Sequence, residues 1–120
     1  MNIFQRKIGI WYQKREWAKY IFNTICEESA DDIDFNRGAT LRSRNELKIV
    51  FKNGDTINFV PIRESSRGRR FTESYVQSDL SLTDSAMIVV RSCTTYGEIY
   101  LVNEYEDLAY YRRKNLRSVF

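Results

Sequence analysis

A chain of 120 residues, 42% hydrophobic, 29% charged and 14% aromatic, with five Gly and one Pro, is one domain's worth of globular sequence; disordered, fibrous and two-domain architectures are excluded. Nineteen basic against sixteen acidic residues leave a net charge of +3, and the absence of histidine excludes His-based triads, Cys-His dyads, His-liganded zinc and histidine pH switches. No window nears the roughly 18 apolar residues of a membrane span, and the opening MNIFQRKIGIWYQKREW lacks a signal peptide's apolar region, so a cytoplasmic protein without a membrane partner is expected.

From Ile10 to about Glu28, the residues Trp17, Ala18, Ile21, Phe22, Ile25 and Cys26 recur at three- and four-residue steps, which predicts an N-terminal amphipathic helix. Lys14, Arg15 and Lys19 make its early exposed side basic, and residues 1–25 carry a net +4. Residues 26–36 carry −5. Carboxylates at Glu27 and Glu28 oppose the helix dipole, so the acidic stretch is expected to leave the helix and run as a loop to Gly38, anchored by Ile33 and Phe35. Asp31, Asp32 and Asp34 lack the spacing and the terminal Glu of a calcium loop, so no metal is expected there.

Residues 37–70 carry +6 and hold the clearest local signal. Glu46–Lys52 and Thr56–Val60 are β-prone runs joined by Asn53-Gly54-Asp55, a hairpin with Leu47, Ile49, Phe51, Ile57 and Phe59 facing a core. Pro61 ends its second strand or places it at an edge. Residues 63–70, Arg-Glu-Ser-Ser-Arg-Gly-Arg-Arg, form the most basic loop. Phe71–Gln77 is a candidate third strand, Ala86–Cys93 (AMIVVRSC) reads as a buried strand, and Glu98–Val102 as another. Residues 71–111 carry −6 and residues 112–120 carry +4. Asn103 followed by Glu106 marks the start of a last helix ending in Arg112, Arg113, Lys114 and Arg117. The resulting expectation is an α+β domain with an antiparallel-rich sheet of four or five strands and a helix at each end; the alternative is a small α/β unit. Cys26 and Cys93 are too few and too far apart for a thiolate cage and read as reduced, partly buried thiols.

The runs LKIVFKNGDTINFVP, IRESSRGRRF and ESYVQSD, spanning about residues 47–79, resemble the middle of the ATPase domain of phage large terminases, the motors that package viral DNA. The resemblance implies a hairpin, an Arg-Gly loop and then the strand that in that family carries an acidic pair. It also implies a phage or mobile-element protein. The chain departs from the family where chemistry is concerned. It has no GxxxxGK[ST] loop to cradle phosphates, and Asp79 is followed by Leu80 instead of Glu. No catalytic residues and no cofactor are therefore expected.

Arginine outnumbers lysine 13 to 6, a bias toward recognition of phosphates, carboxylates and aromatic faces. Arg63, Arg67, Arg69 and Arg70 beside Phe71, and Arg112, Arg113 and Lys114 beside Tyr110 and Tyr111, are candidate nucleic-acid or protein-partner sites, with the aromatics available for stacking. Trp11, Tyr12, Lys14 and Arg15 form a weaker candidate partner site, the two aromatics reading either as core or as an exposed anchor. The charge blocks have two readings, a two-signed surface or mutual neutralisation. The leading functional expectation is a non-enzymatic protein that binds and blocks a host nucleoprotein machine, such as an anti-CRISPR-type inhibitor of a host nuclease. The runner-up is a DNA-binding accessory protein of packaging or replication.

Overall fold

The computed structural model describes residues 5–36, 40–42, 46–66, 68–78, 83–104 and 108. The elements are β1 (Lys7–Tyr12), α1 (Arg15–Glu28), a 3-10 turn (Ala30–Asp32), β2 (Leu41–Arg42), β3 (Leu47–Val50), β4 (Thr56–Pro61), a 3-10 turn (Glu64–Ser66), β5 (Phe71–Gln77), α2 (Asp84–Ser92) and β6 (Thr94–Val102). Among the described residues they form one six-stranded sheet in the order β2-β3-β4-β1-β5-β6. The expected mixture of helices and sheet is present. The sheet is larger than expected, and its centre is parallel: β4, β1, β5 and β6 run together, with β2 and β3 antiparallel at one end.

The hairpin forms where Asn-Gly predicted it. Gly54 takes φ +98°, and Asp55, fully buried, accepts from the Arg6 backbone N–H at 3.0 Å and from Asn53 Nδ2 at 3.4 Å. The turn is thereby stitched to the start of β1. Pro61 ends β4 as expected, but β4 lies inside the sheet between β3 and β1.

Two expectations are corrected. The N-terminal helix begins at Arg15, and Ile10–Tyr12 belongs to the central strand β1. A strand buried on both faces reads as an unbroken apolar run, which periodicity does not separate from a helix. The segment AMIVVRSC is the helix α2, although Ile88, Val89 and Val90 favour strands. Parallel neighbours β5 and β6 require a crossover, and Thr83 Oγ1 caps the helix by accepting from Ala86 N at 3.2 Å. One loop anchor also differs, since Ile33 is buried while Phe35 is 56% exposed. Of the expected C-terminal helix only Asn103, Glu104 and Leu108 are among the described residues, the first two exposed and Leu108 buried; the rest lies outside them.

Alternation along the strands sends two apolar sets to opposite faces of the sheet. Ile8, Ile10, Ile49, Ile57 and Phe59 pack under α1 through Ala18, Ile21, Phe22 and Ile25. Trp11, Val60 and Val76 pack with Val89, Val90 and Cys93 of and beside α2. A buried polar chain crosses this second core: Trp11 Nε1 donates to Ser74 Oγ at 3.0 Å, Ser74 and Thr94 hydroxyls lie 2.7 Å apart, and Thr94 Oγ1 donates to the Val90 carbonyl at 2.7 Å. Each donor of this chain of hydroxyls and indole thus has an acceptor. Both cysteines are free thiols; partial burial pushes the Cys26 thiol up, with Arg42 acting in the opposite direction.

At the start of β1 and β5, Arg6 pairs with Glu73 at 2.7 Å with both side chains largely buried, and Tyr75 donates its hydroxyl to Glu73 Oε2 at 3.1 Å. Tyr75 also stacks on Tyr100, ring centroids 5.1 Å apart. Burial first, then the adjacent Glu73 charge, raises the Tyr75 pKa well above its ordinary value. Because the unfolded phenol ionises near pH 10 and the folded one later, the stability Tyr75 contributes is present below pH ~10 and falls as pH rises beyond it. Tyr75→Phe is expected to flatten that alkaline decline in urea titrations above pH ~10; an unchanged slope would refute the assignment.

Candidate functional site

The helix α2 is nine residues long and covers only part of the second sheet face. Beyond it lies an open cleft of about 310 Å³, lined by Lys7 of β1, Lys48 of β3, Thr56 and Asn58 of β4, and Arg69, Arg70 and Phe71 at the entry to β5. Register explains the grouping. Lys7 pairs with Thr56 and Lys48 with Asn58, and partners directly opposite each other point to the same face. Thr72 fixes the rim, its hydroxyl donating to the Lys7 carbonyl at 3.0 Å and accepting from the Lys7 N–H at 3.1 Å.

Arg69 and Arg70 arrive from a loop that turns at Gly68, φ +99°. Arg70 Nη1 donates to the Ser92 carbonyl at 3.4 Å and to the Arg69 carbonyl at 3.5 Å. The first of these holds a cation against the negative end of α2. None of Lys7, Lys48, Arg69 and Arg70 forms an ion pair with a described carboxylate. Among the described residues the charge blocks are thus not joined by direct ion pairs at this cleft.

Phe71 is the cleft's floor and is 5% exposed. Its ring meets Trp11 edge-on, centroids 5.8 Å apart and planes at 88°, over Gly9, where no side chain intervenes. The expectation that Phe71 stacks a base is corrected by this burial. Trp11, fully buried, and Tyr12, 8% exposed, are likewise core residues and no partner anchor. Lys14 is exposed and Arg15 half-buried; Arg15 donates to the Tyr12 hydroxyl at 3.3 Å. Both follow the carboxyl end of β1, whereas Lys7 begins that strand, so they do not join the cleft.

The basic loop is also divided. Arg63 lines a second cavity, of about 440 Å³, with Tyr12, Gln13, Pro61, Ile62, Thr83 and Ala86 at the carboxyl ends of β1 and β4. Arg67, Arg112, Arg113 and Lys114 lie outside the described residues. Lys7 and Lys48 were missed by sequence reasoning; Lys48 and Asn58 were legible as the polar side of the hairpin, but Lys7 joins them only through parallel pairing.

Open parallel sheets commonly bind ligands at the carboxyl ends of strands whose connections diverge, here β1 and β5. In this chain a side chain occupies that place. Gln77 Oε1 accepts from the backbone N–H groups of Gln13 and Lys14 at 2.8 and 3.1 Å, and Gln13 Nε2 donates to the Gln77 carbonyl at 3.2 Å. The donors at the β1–α1 junction are therefore already engaged.

No protein-family profile matches the chain, and no curated protein does. Two solved structures are similar in fold. One is the large terminase from a thermophilic bacteriophage (crystal form 2), with TM-score 0.44, 16% identity, and coverage of 84% of this chain and 27% of that one. The other is the same terminase in complex with ADP (crystal form 3), with TM-score 0.40, 17% identity, and coverage of 84% and 26%. The chain spans about a quarter of the length of these structures. Among the described residues no helix is long and apolar enough to cross a membrane.

Proposed function

We propose that this is a non-enzymatic DNA-binding protein that works on a nucleoprotein machine by holding phosphates in the basic cleft. One observation carries the reading: four cations from three separate chain segments line a single open cavity with no described carboxylate paired to them. Polyanions bind such sites chiefly by counterion release. The buried Phe71 removes the one aromatic of the cleft from stacking, which leaves backbone contact as its chemistry. Gln77 at the β1–α1 junction further supports a binder without a nucleotide cofactor.

The accessory role in DNA packaging or replication is favoured over inhibition of a host machine, because four cations around one open cleft, with no described carboxylate paired to them, suit phosphate contact without a protein partner. The motifs of residues 47–79 and the absent phosphate loop are read as a terminase-like segment that retains sheet and basic surface without the ATPase chemistry.

With four phosphates neutralised, log affinity should fall with log salt at a slope of about −3 to −4, or some 60- to 250-fold between 50 and 200 mM. Lys48→Gln with Arg70→Gln should roughly halve that slope. Fluorescence anisotropy on a labelled oligonucleotide measures both. Absence of binding at low salt, or a slope the double variant does not alter, would refute the proposal.

A further inference from the structure

The turn between β3 and β4 contains a reactive dipeptide. Asn53 precedes Gly54, and with no side chain on the glycine nothing shields the amide nitrogen that attacks Cγ of the asparagine. In that reaction the Gly54 nitrogen gives up its proton and bonds to Asn53 Cγ, the Cγ–Nδ2 bond breaks, and ammonia carries the proton away. Water then opens the cyclic imide at either of its carbonyls, leaving aspartate or isoaspartate at position 53. The co-reactant is water alone.

The folded turn opposes each of these changes. The proton that must be removed is the one Gly54 N donates to the Phe51 carbonyl at 3.0 Å. The carboxamide that must be attacked is held at both of its ends, Oδ1 accepting from the Asp55 N–H at 2.9 Å and Nδ2 donating to Asp55 Oδ2 at 3.4 Å. Neighbouring chain pins the same turn from outside. Lys52 N donates to the Asp32 carbonyl at 2.8 Å, and Asp55 Oδ1 accepts from the Arg6 N–H at 3.0 Å. Cyclisation therefore waits for the turn to open, and its rate follows the open fraction.

We infer that Asn53 is a site of spontaneous deamidation, gated by opening of this turn and made one-way by Asp55. In the aspartate product a carboxylate oxygen stands where Nδ2 donated, facing the carboxylate of a fully buried residue. Two carboxylates that close, one of them out of water, repel strongly. In the isoaspartate product the chain runs through Cβ and Cγ, which lengthens the turn and spoils the closure between Phe51 and Gly54. Either product re-forms the turn poorly. Because Asp55 also ties the turn to Arg6, the loss spreads to the start of β1, beside the Arg6–Glu73 pair. This site is independent of the basic cleft and of what the cleft binds.

Incubation at about pH 8 and 37 °C, with and without about 6 M guanidinium chloride, followed by peptide mapping in acid, counts the gain of about 1 Da at Asn53. The folded protein is expected to react at least about tenfold more slowly than the unfolded chain. Asn53→Asp, which makes one product directly, should lower the urea midpoint. Adding Asp55→Asn should restore at least about half of that drop, since one carboxylate then faces one amide. Equal rates in the folded and unfolded protein, an Asn53→Asp variant as stable as the wild type, or no recovery in the double variant would overturn the inference.

Discussion

Arg6→Ala is expected to destabilise the fold by about 3–5 kcal/mol, because it leaves the Glu73 carboxylate buried without its cation. The pair is tight on both counts. Arg6 Nε and Nη2 each lie 2.7 Å from Glu73 Oε1, and the side chains are 13% and 5% exposed. The Tyr75 hydroxyl would stay on Oε2, one neutral donor in place of a charge. Replacing both partners by apolar residues, Arg6→Met with Glu73→Leu, should recover part of the loss, since desolvation of two ions is avoided along with their attraction while the buried Tyr75 hydroxyl loses its acceptor. Urea denaturation of the two single variants and the double measures the coupling. A loss below about 1 kcal/mol for Arg6→Ala would mean that the pair behaves like an exposed ion pair and organises nothing.

Gly9→Val should be as damaging for a different reason. The backbone at Gly9 is ordinary strand, so the requirement is for space. A Cβ would lie 2.6 and 2.8 Å from two ring carbons of Phe71 and 2.9 Å from Trp11 Nε1. Both rings are buried and locked edge to face. Gly9→Ala should therefore cost about 1–3 kcal/mol, with valine adding further overpacking. The two shortest clashes are with the Phe71 ring, so Phe71→Ala in the Gly9→Ala background should cost less than the two losses added together. Strict additivity in thermal or urea unfolding would show that Phe71 is not what Gly9 accommodates. Since the same ring is the floor of the cleft, the proposed function predicts that Gly9→Ala also weakens DNA retention.

The parts of this molecule that depend on near neighbours were legible in its sequence. Asn53-Gly54 announced the hairpin, and β5 spans the residues assigned to it. Where pairing partners lie far away, local pattern was insufficient. The apolar run of β1 carries no period that marks a central strand, and the β-branched residues of α2 outweighed the Thr83 cap. The candidate site followed the same division. Arg69 and Arg70 stood out as a basic loop, but Lys7 is brought to them only by pairing of β1 with β4 and β5. Phe71 and Trp11 are aromatic residues beside charge in sequence, and only the close passage over Gly9 shows that each is occupied by the other.

The sheet order has a consequence for synthesis. β1 emerges from the ribosome first, yet it lies in the middle of the sheet, and its two neighbours begin at Thr56 and Phe71. Until both have been made, Ile8, Ile10 and Trp11 have nowhere to be buried except against α1 and the unfinished chain. Long-range parallel pairing of this kind folds slowly and leaves apolar strand exposed while it waits. Slowing translation between Tyr12 and Gln77 would lengthen that interval, making this chain's yield a matter of tempo as well as stability.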